Sequence, residues 1–188
     1  MRPSESLALK WKDIDLNKGR ITINRTLSRV TGKNGWTLES PKTEKSRRTI
    51  PISPSIVEDL KEHRAGQAVE ILREEGYKNL DFVFTANNGE PMSEGNLSRR
   101  DFKKVFEKAG LPKNIRFYDL RHTCATLLLA AGENPKIVSE RLGHASITLT
   151  LDTYSHVLPD MQKTAADKLE EMLFNPLKKK RIGTLPAH

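Results

Sequence analysis

The chain has 188 residues, a formal net charge of +8 at pH 7 and 36% hydrophobic residues, enough for one domain with a real core. The positive balance favours an acidic partner, nucleic acid or an anionic membrane surface, although the run Lys178 to Arg181 carries four of the eight charges and residues 176–188 read as a basic, flexible tail. Cys124 as sole cysteine excludes an intrachain disulfide and a cysteine-based metal site. With no apolar run near the ~20 residues that span a bilayer and no signal-peptide pattern, the expectation is a soluble intracellular protein without membrane attachment.

In chain order, Pro3 and Ser4 open a helix with Leu7, Ala8 and Trp11 on its apolar face. Arg2 stands at its mouth, where backbone N–H groups favour anions; Glu5 either orients Arg2 through an ion pair or favours the helix N-terminus. From Gly19 the pattern is β: RITIN alternates, Asn34-Gly35 signals a turn, and WTLES and RRTIPI follow, which predicts an antiparallel sheet of about three strands. The connection Pro41 to Ser46 puts a lysine at an exposed hairpin tip, where an edge charge opposes aggregation. Ser53-Pro54 opens a long helix with Ile56, Val57, Leu60, Ile71 and Leu72 inward and Gly76 as its stop. Leu80 to Phe84 is a buried strand or extended segment, and Ser93 caps a helix carrying Leu97, Phe102, Val105 and Phe106.

Asp119 is a candidate N-cap for a helix with Leu120, Cys124, Leu127, Leu128 and Ala131, Cys124 serving as core packing. Tyr118 and Arg121, three apart at its mouth, can reach one ligand. Asn134-Pro135 caps a further helix with Ile137, Val138 and Leu142 inward; Gly143 ends it and frees His144 in a turn. Ser146 to Tyr154 is ambiguous. Ile147, Leu149 and Leu151 alternate with threonines as in a strand, whereas Ser146 as cap and the spacing of Ile147, Leu151 and Tyr154 suit a helix; pattern alone tilts toward strand. Pro159-Asp160 opens a terminal helix with Met161, Ala165, Leu169, Met172 and Leu173 on one side.

Arg121, His144 and Tyr154 suit one task. Arg presents a planar fork to two phosphate oxygens, His donates a hydrogen bond or moves a proton near neutrality, and Tyr supplies a hydroxyl nucleophile. Arg121 in FYDLRHT, the LGH of Leu142 to His144, and LDTYSH around Tyr154, ten residues after His144, resemble the tyrosine recombinase (phage integrase) family, specifically its C-terminal catalytic domain. The likeness extends to MRPSESLALKWKDIDL, similar to the family's first arginine box with Arg2 as its arginine, and so covers nearly the whole chain.

The resemblance implies an α+β, mainly α-helical catalytic domain over residues 1–175, with a small antiparallel three-stranded sheet packed at one side of a helical core. It implies a helix carrying Tyr154. It also implies site-specific DNA strand cleavage and rejoining: Arg2 and Arg121 stabilise the charge that builds on the non-bridging oxygens, His144 hydrogen-bonds the phosphate, and Tyr154 attacks to leave a 3′-phosphotyrosyl linkage. Lys42, on a mobile hairpin in the family, protonates the departing 5′ oxygen, while Lys45, Arg47 and Arg48 either contact backbone phosphates or form a solvated basic strand. The linkage keeps the phosphodiester's energy, so no ATP, metal or other cofactor is implied. The implied partner is double-stranded DNA, bound by a tetramer of the full-length protein in the cytoplasm of a bacterial cell carrying a prophage or mobile element. The terminal helix docks on a neighbouring protomer or packs on its own domain.

Two departures matter. The family often has histidine where this chain has Tyr118; a phenol still donates a hydrogen bond but is no neutral-pH base. His122, turned ~100° around the helix from Arg121, is not a replacement, and His156 is a candidate for local orientation only. Secondly, the family's N-terminal DNA-binding segments are not among these residues, so weak DNA binding is expected. The alternative functions are a catalytically inactive recombinase-like DNA-binding or regulatory fragment, and a metal-dependent nuclease on His122, His144, His156 and Asp152, which lacks a compact carboxylate cluster or zinc spacing.

Overall fold

The computed structural model describes residues 1–30, 35–41, 43, 46–112, 114–155 and 161–174; Lys42, Lys45, His156 and the basic tail lie outside them. The chain opens with the short helix α1 (Pro3–Leu7) and a 3-10 turn (Trp11–Asp13). Five strands follow: β1 (Ile14–Asp15), β2 (Arg20–Ile23), β3 (Thr26–Val30), β4 (Gly35–Glu39) and β5 (Arg48–Pro51). The three-stranded antiparallel sheet is β1-β2-β5, with Ile21 opposite Ile50 and Ile23 opposite Arg48.

The expected sheet is thus present with one change of membership. WTLES does not join it; β4 pairs with β3 as a separate two-stranded ribbon, Leu27 opposite Leu38. The reason lies in burial. Ile21 and Ile23 of β2 alternate into the core, whereas no residue of β4 is fully buried, so β4 has no core face to set against β2.

The helix α2 (Pro54–Arg73) starts at Ser53 with Pro54 in its first turn and buries Val57, Leu60 and Gln67. Ile56 and Leu72, expected inward, are exposed. Leu80 to Phe84 proves extended: Val83 N–H bonds the Leu9 carbonyl at 2.9 Å and Phe82 bridges Lys10. Together Leu9, Trp11, Ile14, Ile21, Ile23, Ile50, Leu60 and Val83 form the first core. A buried amide joins its parts: Gln67 accepts from the Trp11 indole N–H at 2.6 Å and donates to the Phe82 carbonyl and the Thr85 hydroxyl, each at 3.1 Å.

Further helices are α3 (Glu94–Asn96), running through a π turn (Leu97–Asp101) into α4 (Phe102–Lys108), then α5 (Asp119–Ala130), α6 (Pro135–Leu142), α7 (Ile147–Tyr154) and α8 (Met161–Phe174). Ala125 and Leu129 of α5, Val138 and Leu142 of α6 and Tyr154 of α7 make the second core. Several expectations fail here for one reason. On α5 the buried face is Arg121, Ala125 and Leu129, leaving Leu120, Leu127 and Cys124 exposed, so Cys124 is not core packing. Choosing the face by hydrophobicity misplaces it by placing an arginine outside. Asp119 is the first residue of α5 and not its N-cap; its carboxylate reaches back to the Arg116 N–H at 2.8 Å.

Residues 147–154 are helical, with the Ser146 hydroxyl accepting from Leu149 N–H. The strand-like alternation proves to be surface: Ile147, Leu149 and Leu151 are exposed, and the buried positions are Thr150 and Tyr154, one helical turn apart. The side chains described on α8, including Leu169, Met172, Leu173 and Phe174, are exposed. Among the described residues no helix is long and apolar enough to cross a membrane.

Replacing Gln67 by alanine leaves the Trp11 indole and the Phe82 carbonyl buried and unpaired, at a cost of about 1–3 kcal/mol per orphaned group. Urea titration of Gln67→Ala is expected to show a midpoint lowered accordingly, with an unchanged slope.

Candidate active site

The site is built on the end of α6. Gly143 adopts φ +68°, which turns the chain out of the helix. Its N–H bonds the Glu140 carbonyl and that of His144 bonds the Ser139 carbonyl, and the next three carbonyls in sequence each take one arginine. The Arg141 carbonyl accepts from Arg48 Nε at 2.8 Å, the Leu142 carbonyl from Arg121 Nη2 at 2.6 Å, and the Gly143 carbonyl from Arg2 Nη2 at 3.2 Å. A helix C-terminus carries partial negative charge, so it is a natural collector of guanidinium groups. Glycine is required at 143 twice over, since a Cβ there would lie 2.6 Å from Arg48 Nη1 as well as strain the backbone.

Glu5, 2% exposed, is the counter-ion. Its carboxylate accepts from Arg2 Nη1 and the Arg2 N–H, both at 2.8 Å, and from Arg48 at 3.1 and 2.9 Å. Burial alone would raise its pKa, but the bonds from Arg48 and then Arg2 outweigh it and hold the carboxyl at about 2. The expected ion pair with Arg2 is therefore present, and the N-terminal position of Glu5 serves the same end. Arg48, expected to face backbone phosphates or solvent, does neither: its side chain is 8% exposed and bonded to Glu5, the Arg141 carbonyl and the Ser46 carbonyl. It braces Glu5.

Arg121 is 4% exposed, and its Nη1 is buried without a hydrogen-bond partner. Burial and the neighbouring Arg2 lower its pKa, yet a guanidinium stays protonated. An orphaned, charged donor beside a second arginine is chemistry set for an anion. His144 follows directly. Its Nδ1 meets the Thr150 hydroxyl at 2.7 Å, and burial, followed by the charges of Arg121, Arg2 and Arg48, pushes its pKa down to about 4. At neutral pH it is an uncharged imidazole.

Tyr154 sits with its ring in the second core and is 3% exposed. Burial raises its phenol above 10, with Arg121 pulling the other way. Its hydroxyl meets His122 Nδ1 at 2.8 Å, and Tyr118, half exposed at the start of α5, sets its ring edge-on to His122 at 5.2 Å between centroids. His122, set aside in the sequence for its ~100° rotation from Arg121, is thus in contact with Tyr154. That rotation aims it at the tyrosine while Arg121 turns inward to Leu142, and the legible signal was Tyr118 and His122 standing four apart on one helix face.

The structure brings Arg2, Arg121 and His144 together, with Tyr154 within the field of Arg121. Arg47 is exposed and lines a hollow of about 450 Å³ with Lys136 and His144. A larger hollow of about 810 Å³, between α1, the β3-β4 ribbon and the Ala86 to Arg99 segment, lies away from these groups. Among the described residues no three His, Cys, Asp or Glu side chains cluster as a metal site.

A mainly helical domain thus gathers two arginines and a neutral histidine around one helix end, with a covered tyrosine packed in the adjoining core. The profile of the Phage integrase family matches residues 1–161, and the chain belongs to that family. It is 37% identical over 188 residues to a Tyrosine recombinase XerC-like protein of Caldanaerobacter subterraneus subsp. tengcongensis, covering 92% of this chain and 46% of the relative. It is 31% identical over 173 residues to the ICEBs1 integrase of Bacillus subtilis, again covering 92% and 46%. Among solved structures it is similar to the Tn1549 transposon integrase in complex with circular intermediate DNA, with a TM-score of 0.71, 29% identity, and coverage of 90% of this chain and 56% of that one. The chain thus spans about half the length of these relatives.

The Glu5 pKa sets a pH dependence with a definite sign. A carboxyl depressed from 4.5 to about 2 contributes stability that is complete above pH 4.5 and is lost as pH falls toward 2. Urea titrations from pH 7 to 2 are expected to show Glu5→Gln less stable at neutral pH, with the gap to the unsubstituted chain closing below pH 4.5.

Proposed function

We propose that this chain is the catalytic domain of a site-specific DNA recombinase of the integrase type, cutting and rejoining strands through a 3′-phosphotyrosyl intermediate at Tyr154. The observation that carries it is the convergence of Arg2 and Arg121 on adjacent carbonyls at the end of α6, with a buried guanidinium N–H left for a phosphate oxygen. Attack on phosphorus concentrates charge on the non-bridging oxygens, and preorganised cationic donors stabilise it. His144, neutral at pH 7, donates a hydrogen bond to the phosphate, and Tyr118, exposed at the mouth of α5, is a second donor.

Lys42 protonates the leaving 5′ oxygen, and Lys45 and Arg47 hold flanking phosphates; both lysines lie outside the described residues. Full-length protein assembles as a tetramer on double-stranded DNA, a reading supported by the unpacked apolar residues Leu169, Met172, Leu173 and Phe174 of α8, suited to a groove on a neighbouring copy. Relatives named as integrases of a phage or of a mobile element support a setting in the cytoplasm of a bacterial host.

The test is covalent capture. The purified chain is incubated with nicked duplexes carrying a randomised segment, and DNA that remains protein-linked after denaturation is sequenced. The expected result is an adduct formed in EDTA without ATP, slowed about 100-fold or more in Arg121→Ala and absent from Tyr154→Phe. An adduct that survives Tyr154→Phe, or binding with no covalent product, would overturn the reading.

A further inference from the structure

We propose that His122 accepts the proton of the Tyr154 hydroxyl and is therefore a further catalytic residue of the strand-transfer step. The inference rests on the recombinase reading above and adds to it the base that reading lacks. Tyr118 cannot supply it, because a phenol does not take up a proton near neutrality. The buried phenol has a pKa raised by desolvation, and its proton must leave as the oxygen attacks.

Geometry selects His122 among the polar groups around the site. Its Nδ1 lies 2.8 Å from the hydroxyl, the distance of a proton-transfer contact. Other bases are occupied. The Glu5 carboxylate is bonded to Arg2 and Arg48, and that of Asp119 to Arg116. His144 is bonded to Thr150, and burial followed by the field of three arginines makes it a poor proton acceptor.

The surrounding residues fix both partners. The Tyr154 ring is held by Ala125, Leu129, Val138 and Leu142, and the imidazole meets the Tyr118 ring edge-on. Arg121 and His122 are consecutive on α5, so one turn of helix presents a guanidinium to the phosphate and an imidazole to the nucleophile.

The protons balance. As the Tyr154 oxygen bonds phosphorus, its proton passes to His122 Nδ1; the bond from phosphorus to the 5′ oxygen breaks, and that oxygen takes a proton from the lysine acid assigned above. In rejoining, a 5′ hydroxyl attacks phosphorus and returns its proton to the lysine amine, while the departing tyrosine oxygen recovers its proton from the His122 imidazolium. No proton is gained or lost over the cycle.

The test compares single-turnover adduct formation on a nicked duplex recovered by the covalent capture, for the unsubstituted chain and His122→Asn. Asparagine keeps a polar atom near Nδ1 to hold the hydroxyl but cannot accept its proton. The expected result is a slowing of about 100-fold or more, largely reversed when a ring-fluorinated, more acidic tyrosine is placed at 154, with little gain from the same tyrosine in the unsubstituted chain. A His122→Asn rate equal to or above that of the unsubstituted chain would show that the bond only parks the phenol, and a slowing that fluorination leaves untouched would show a structural role; either overturns the proposal. Failure of the unsubstituted chain to form an adduct would bring down the recombinase reading and this proposal together, whereas the other two outcomes bring down this proposal alone.

Discussion

Three guanidinium groups and three consecutive carbonyls at the end of α6 form the constraint on which the site depends. Like charges brought together under partial burial repel; two unit charges ~6 Å apart at an effective dielectric of ~20 cost roughly 3 kcal/mol. Glu5 neutralises one charge and the helix end offsets part of another. What is left is a local excess of positive charge with one buried N–H unpaired, and an anion is the group that satisfies both. Burial, followed by the same field, keeps His144 neutral, so one arrangement both favours an anion and helps set the protonation state of its neighbour.

The placement of these groups ties the two halves of the chain together. Arg2 and Glu5 come from α1, Arg48 from β5 beside the first core, Arg121 from α5 and the carbonyls from α6 in the second. Arg48 spans between Glu5 and the Arg141 carbonyl and is thus a brace across the domain. Tyr154 is held differently. Its ring belongs to the second core and its hydroxyl to a hydrogen bond with α5, so it is placed by packing instead of by charge.

The α+β class and the helix carrying Tyr154 were legible through the family resemblance of the motifs around Arg121, His144 and Tyr154, and most other helix ends through Pro, Gly and Ser signals, which are local. What failed was non-local. The buried face of α5 was misassigned because Arg121 takes a core position that hydrophobicity gives to leucine, and only the Leu142 carbonyl, 21 residues on, explains it. Strand-like alternation in 147–154 was contradicted by Thr150, a polar residue wholly buried against His144. Arg48 looked like one more charge in a basic strand because its partner Glu5 lies 43 residues away. His122 was missed because a rotation that excludes it from the Arg121 direction says nothing about where another helix will bring Tyr154.

The most direct measurement is a crystal structure of the chain with a nicked DNA duplex and orthovanadate, which takes up the five-coordinate geometry of phosphorus under attack. The prediction is vanadium bonded to the Tyr154 oxygen, with Arg2 and Arg121 on its equatorial oxygens and the α6 carbonyls still holding both guanidinium groups. Vanadate bound elsewhere, or equatorial oxygens that neither arginine reaches, would contradict it.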